Sequence, residues 1–142
     1  MNPEKKRSLS LFLLRSGVGI VFILFGIDKL PHPERWIAYF PHQLAVPFFY
    51  SPYEFLRVQG ILEVLVGTML LTGFLTRVAA VIATSLLLAI VYLLMPDPIA
   101  IRDLGLFFSS AAIIIAGPGH WSLDKFLDQL SQKPPSNENR SP

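Results

Sequence analysis

Between Val78 and Met95 the chain carries no charged residue. As a helix these 18 residues span about 27 Å, close to the ~30 Å of a bilayer's hydrocarbon core. Three further apolar runs share the character: Leu9–Leu30, Glu54–Leu75 and Ile99–Gly117. Pro31, Pro96 and Pro118 stand at their ends, where a ring without an N–H stops a helix. In lipid every backbone polar group must be paired internally, so only helices and closed barrels cross. Barrel strands would alternate in polarity about every ten residues, and these runs do not. The expected fold is all-α: a four-helix transmembrane bundle over residues 9–30, 54–75, 78–95 and 99–117.

Composition agrees. Of 142 residues 52% are hydrophobic and 15% charged, against a usual charged share of about 25%. There is no cysteine, which excludes disulfides, thiolate metal sites and thiol nucleophiles. The net charge is +2, with no basic stripe of the kind nucleic acid requires. Lys5, Lys6 and Arg7 precede the first run, as in a signal peptide. The run is too long for one, however, and PHPERW follows it instead of a small-residue cleavage site. The first helix is therefore expected to remain.

With four spans both ends of the chain share one side. Lys5, Lys6, Arg7, Arg77, Lys125, Lys133 and Arg140 fall there; Lys29, Arg35, Arg57 and Arg102 fall on the other. The bias of basic residues toward the cytoplasm puts both termini inside, in the plasma membrane. Residues 1–8 form the cytoplasmic start, 9–130 the membrane domain and 132–142 a polar, proline-bearing tail read as disordered. Around 122–131, Ser122 is a good N-cap and Leu123, Phe126, Leu127 and Leu130 share a face, the signature of a short interfacial helix.

Helices two and three are expected to join at Thr76-Arg77 as an antiparallel hairpin. The link 31–53 carries Trp36, Tyr39, Phe40, Phe48, Phe49, Tyr50 and Tyr53. It is read either as an aromatic belt at the headgroups or as a lid over a site between the helices.

Ionisable side chains inside a span are costly and mark packing locks or functional sites. At 100° per residue Arg15, Gly19, Phe22, Gly26 and Lys29 fall in an arc of about 80° on the first helix. Gly60, Glu63 and Gly67 share a face of the second, with Gln59 at its margin. Small residues mark close helix contact, so both stripes should face the bundle. Glu63, near mid-membrane, needs a proton or a cation, and Arg15 is the partner considered, about 9 Å away along the axis. Asp28, Lys29, Tyr92, Arg102 and Asp103 are expected to gather at the outer ends of the helices. Ser110 lies seven residues from Asp103, on the same face. His32, His42 and His120 read as interfacial, and no metal site is marked. Phosphate loops, GxGxxG and HExxH are absent, so catalysis by this chain alone is not expected.

Three segments in order resemble the DoxX family of small four-helix membrane proteins. LLRSGVGIVFILFGIDKL is similar to its opening Arg, spaced glycines and Gly-x-x-Lys-Leu. ILEVLVGTMLLTGFLTRVAAV resembles its Glu-x-x-x-Gly core and Gly-x-x-Thr-Arg. RDLGLFFSSAAIIIAGPGHWSLD resembles its Arg-Asp-Leu start and Gly-Pro-Gly…Ser-Leu-Asp finish. The matching positions are Arg15, Gly19, Gly26, Lys29, Glu63, Gly67, Arg77, Arg102 and Asp103. The family takes its name from a subunit of an archaeal thiosulfate:quinone oxidoreductase. The resemblance implies a non-catalytic or accessory membrane subunit of a quinone-linked redox complex, with oxidoreductase subunits and the lipid bilayer as partners. No cofactor motif is present; a quinone is the class left open. The alternatives are a membrane protein binding a small lipophile, quinone or proton at Glu63, Asp103 and Tyr92, or a structural partner in the assembly of another membrane protein.

Overall fold

The computed structural model describes residues 2–40 and 51–131. Four long helices follow in order: α1 (Pro3–Lys29), α2 (Pro52–Thr72), α3 (Thr76–Leu94) and α4 (Pro98–Ala116), then a short α5 (Leu123–Ser131). All four long helices are long and apolar enough to cross a membrane. The described residues contain no strand. Two 3-10 turns, Pro33–Arg35 and Ile37–Tyr39, lead out of α1. Phe48, Phe49, Tyr50 and His42 of the aromatic link, and the tail 132–142, lie outside the described residues.

Capping chemistry sets the starts of α2 and α4. Ser51 Oγ accepts from the Glu54 N–H and Asp97 Oδ1 from the Ile99 N–H (3.3 and 2.9 Å). Each cap is followed by a proline whose missing N–H costs nothing at the first helical position. These caps begin both helices one or two residues ahead of the apolar runs.

The hairpin between α2 and α3 lies three residues earlier than expected. Gly73 adopts φ +73° and ends α2; its N–H and that of Phe74 both donate to the Met69 carbonyl. Leu75 also takes a left-handed conformation, φ +45°, which costs an L-residue about 1 kcal/mol or more. Thr76 and Arg77 are already inside α3. The apolar run conceals this turn because Phe74 and Leu75 continue it past the helix end.

Leu75 is held from a distance. The Asp124 carboxylate accepts from the N–H groups of Leu75 and Thr76 (2.7 and 2.9 Å), and the Asp124 N–H donates to the Gly73 carbonyl. An anion at a helix N-terminus is favoured by both the free N–H groups and the dipole. The first turn of α5 thus closes the start of α3.

α1 packs chiefly on α2 and α3 on α4, with lighter α2–α3 and α1–α4 contacts closing the ring. The apolar core lies toward the end where α1 begins. There Val18 and Phe22 meet Val66, Leu70 and Ile113, and Ala79, Ala80 and Ala83 let α3 approach closely. On the α3–α4 face Thr84 Oγ1 donates to Ser110 Oγ at 2.8 Å. Hydroxyl pairs of this kind hold helices together where lipid offers no hydrophobic drive.

Candidate functional site

The site is built on a glycine seam. A Cβ placed on Gly26 would lie 2.5 Å from the Gly60 carbonyl oxygen, and one on Gly60 would lie 2.9 Å from that of Gly26. Gly19 and Gly67 stand in the same reciprocal relation, at 2.8 and 2.6 Å. Moving from one pair to the other advances α1 by seven residues and α2 back by seven, so the helices run antiparallel in fixed register. Only hydrogen fits between the backbones here. All four glycines foreseen as packing positions lie on this seam.

Beside the seam Lys29 Nζ donates to Glu63 Oε1 at 2.5 Å. Lys29 and Glu63 are each only 5% exposed. Gln59 Nε2 donates to the same oxygen at 3.3 Å. Side-chain direction explains the pairing. On a helix Cβ tilts toward the N-terminus, so Lys29 leans inward from its end of α1 while Glu63, on the antiparallel α2, leans outward to meet it.

The same rule corrects the Arg15–Glu63 pairing. Arg15 leans away from Glu63, toward the start of α1. There its Nη1 donates to the Pro118 carbonyl and Nη2 to the Trp121 carbonyl, both at 2.6 Å. Arg15 is 1% exposed and fastens the turn after α4 onto α1. Gly73 leaves room for the guanidinium: a Cβ there would sit 2.6 Å from Arg15 Nη1. Arg15 belongs to a lock at the termini end of the bundle, not to the site around Glu63.

At the opposite end the four helices part around a cavity of about 420 Å³. Its walls are aliphatic and aromatic, among them Phe22, Leu56, Leu87 and Leu106, and its polar groups are Lys29, Gln59, Glu63, Arg102 and Asp103. Arg102 Nε and Nη2 both bond Asp103 Oδ1 at 2.9 Å, and the guanidinium lies over the Phe25 ring, 4.8 Å from its centroid. A pocket of this volume with apolar walls and few convergent polar groups is the usual form of a small-ligand site.

Trp36, Tyr39 and Phe40 from the link also line the cavity. Asp28 fixes Trp36: its Oδ2 accepts from Trp36 Nε1 at 2.9 Å, and its Oδ1 accepts from the neighbouring Arg35 Nη1 at 3.2 Å. Trp36 packs edge-on against Phe25, and Lys29 Nζ sits 4.9 Å from its ring centroid. Phe40 meets Phe55 edge-on. Among the described residues the first part of the link, through Trp36, Tyr39 and Phe40, lies against the cavity.

Tyr92 stands apart. It is 83% exposed and lines no part of the cavity. Seven residues separate it from Ser85, yet Ser85 Oγ turns back to the Val81 carbonyl; that face of α3 looks outward. Lys29, Glu63, Arg102 and Asp103 are brought together, and Tyr92 and Arg15 are not among them. Phe25 also lines the cavity, a role the polar pattern of α1 does not mark. Phe25 sits four residues before Lys29, the spacing that makes neighbours on a helix. Among the described residues no group of three or more His, Asp or Glu could hold a metal ion.

Comparison with known proteins agrees with this architecture. The chain is 28% identical over 137 residues to an uncharacterized membrane protein of Mycobacterium tuberculosis, covering 84% of this chain and 82% of the relative. No solved structure matches it. The DoxX family model matches residues 10–96, which include the glycine seam of α1 and α2, Lys29, Glu63 and Trp36. This four-helix membrane protein belongs to the DoxX family.

Proposed function

We propose that the protein holds one small lipophile of the quinone class in the cavity beneath Trp36, and serves as a non-catalytic accessory subunit of a quinone-linked redox complex in the plasma membrane. The observation that carries this reading is the union, in one cavity, of aromatic walls with buried ionic groups drawn from three helices. A buried ion pair is a poor investment for stability alone, since well-packed apolar residues often do as well. Placed on a cavity wall, it offers a ligand fixed polar contacts.

The residues present fit a quinone. Its ring suits the aromatic walls of Phe22, Phe25 and Trp36, and its isoprenoid or alkyl chain suits the aliphatic surface of α3. Beyond the N–H groups that Glu63 and Asp103 take, Lys29 and Arg102 carry others that suit ring oxygens. A bound quinone would supply two-electron redox chemistry; the chain's part is to bind it, orient the ring and exclude water. Electrons must come from a partner, which is the role of the complex in this reading. The basic residues Lys5, Lys6, Arg7, Arg77 and Lys125 at the termini end support a cytoplasmic placement of both termini. The cavity then lies in the outer half of the membrane.

The two tryptophans test the reading because they stand at opposite ends of the bundle: Trp36 lines the cavity, while Trp121 packs on Phe12 near the start of α1. A short-chain benzoquinone titrated into the detergent-solubilised protein is expected to quench fluorescence saturably. Trp121→Phe should retain the quenching and Trp36→Phe should lose it. Linear, unsaturable quenching that is the same in both variants would contradict the proposal.

A further inference from the structure

Glu63 has one oxygen too many for the partners around it. Oε1 receives both Lys29 Nζ and Gln59 Nε2, whereas Oε2 is buried and receives nothing. The other nearby cation is committed elsewhere, with Arg102 bonding Asp103. An ion-paired carboxylate accepts at both oxygens and donates at neither. A buried acceptor left without a donor is costly, and more so when it is charged. Glu63 lines the cavity and is 5% exposed; Oε2 itself is covered, and a modest turn about the soft terminal torsion of the side chain brings it to a donor on a molecule occupying that space.

We infer that the cavity selects a lipophile carrying a hydroxyl, a phenol or the reduced quinol form, over the corresponding ketone or ether, and that Glu63 Oε2 is the group that reads the hydroxyl. This rests on the cavity binding a lipophile at all, and it specifies the head group that the binding reading leaves open. The charges at the site support a neutral donor. Lys29 and Arg102 balance Glu63 and Asp103, so a cationic ligand would unbalance a neutral set in a largely apolar enclosure. A hydroxyl supplies the missing hydrogen bond without adding charge. A quinone head presents acceptors only, which Lys29 can meet but Oε2 cannot. If the subunit sits beside a redox partner, it favours the reduced member of the pair.

The decisive comparison uses two probes that do not change redox state: 4-hexylphenol and its methyl ether, 4-hexylanisole. They share the apolar body and differ in the hydroxyl hydrogen. Calorimetric titration of the full chain in detergent is expected to give a phenol affinity about tenfold or more above the ether, the range for a hydrogen bond to a charged group. In Glu63→Gln, with its amide nitrogen placed at the Oε2 position, the preference should fall to within about twofold or reverse. If that variant does not fold, the double variant Lys29→Met with Glu63→Gln removes the unpaired ammonium and carries the same expectation. Equal affinities in the unaltered protein would overturn the inference and leave lipophile binding standing. A phenol preference that persists in a folded Glu63→Gln variant would overturn the assignment to Glu63. Binding of neither probe would overturn both the inference and the binding reading.

Discussion

Gly26→Leu should abolish the folded bundle in detergent, or lower its stability by about 3 kcal/mol or more. The expectation follows from distances rather than composition. At Gly26 even a Cβ would stand 2.5 Å from the Gly60 carbonyl oxygen and 2.9 Å from the Val64 nitrogen. Both are backbone atoms of a regular helix and cannot swing aside. The helices must separate, and with them the glycine-to-backbone contacts that replace hydrophobic drive in a membrane. Overpacking a tight contact costs typically 1–3 kcal/mol where side chains can yield, and here they cannot. Gly17 and Gly105 are natural controls: a Cβ at either meets nothing within 4 Å. Gly17→Leu should leave the melting temperature within a degree or two. Thermal unfolding by circular dichroism reads both, and equal effects at positions 17 and 26 would contradict the seam.

The second large effect concerns the Lys29–Glu63 pair. Lys29→Met alone leaves a buried carboxylate without its cation, and Glu63→Leu alone leaves a buried ammonium; each is expected to cost about 3–5 kcal/mol. The double variant removes both charges and fills similar volume. It should recover most of that loss, because replacing a buried pair by apolar groups is often close to neutral. Ligand binding should not recover with it. That separation distinguishes a pair kept for a ligand from one kept to hold α1 against α2. If the double variant is as unstable as either single one, the pair is essential to the fold. If it is stable and binds benzoquinone as the parent does, the pair has no part in the site.

Much of this arrangement is legible in the residues. The stripe of Arg15, Gly19, Phe22, Gly26 and Lys29 and the face of Gly60, Glu63 and Gly67 follow from 100° per residue, and all eight are buried. Which cation meets Glu63 is harder, because angular position does not say which way a side chain leans. Two antiparallel helices lean oppositely, so Lys29 closes on Glu63 and Arg15 turns to the carbonyls of Pro118 and Trp121. Tyr92 shows a different limit. Its depth matches the site, but α3 turns that residue outward, and an almost wholly apolar helix carries no polar contrast to reveal its inner face. The cap that Asp124 gives to α3 spans nearly fifty residues of sequence and has no local signature. The aromatic link reads as a belt or as a lid from its residues alone; the Trp36–Asp28 bond that brings its first part to the cavity depends on a chain reversal that the apolar pattern does not encode.

Occupancy of the cavity by a lipophile is read most directly by native mass spectrometry of the protein extracted from its own membrane in mild detergent. The comparison is with a double variant, Val21→Phe with Leu106→Phe, that fills the cavity from α1 and α4. The expected spectrum shows one hydroxylated or quinone-type lipophile bound about one to one, absent from the filled variant, together with an oxidoreductase partner. The same lipids on both proteins, or none on either, would contradict it.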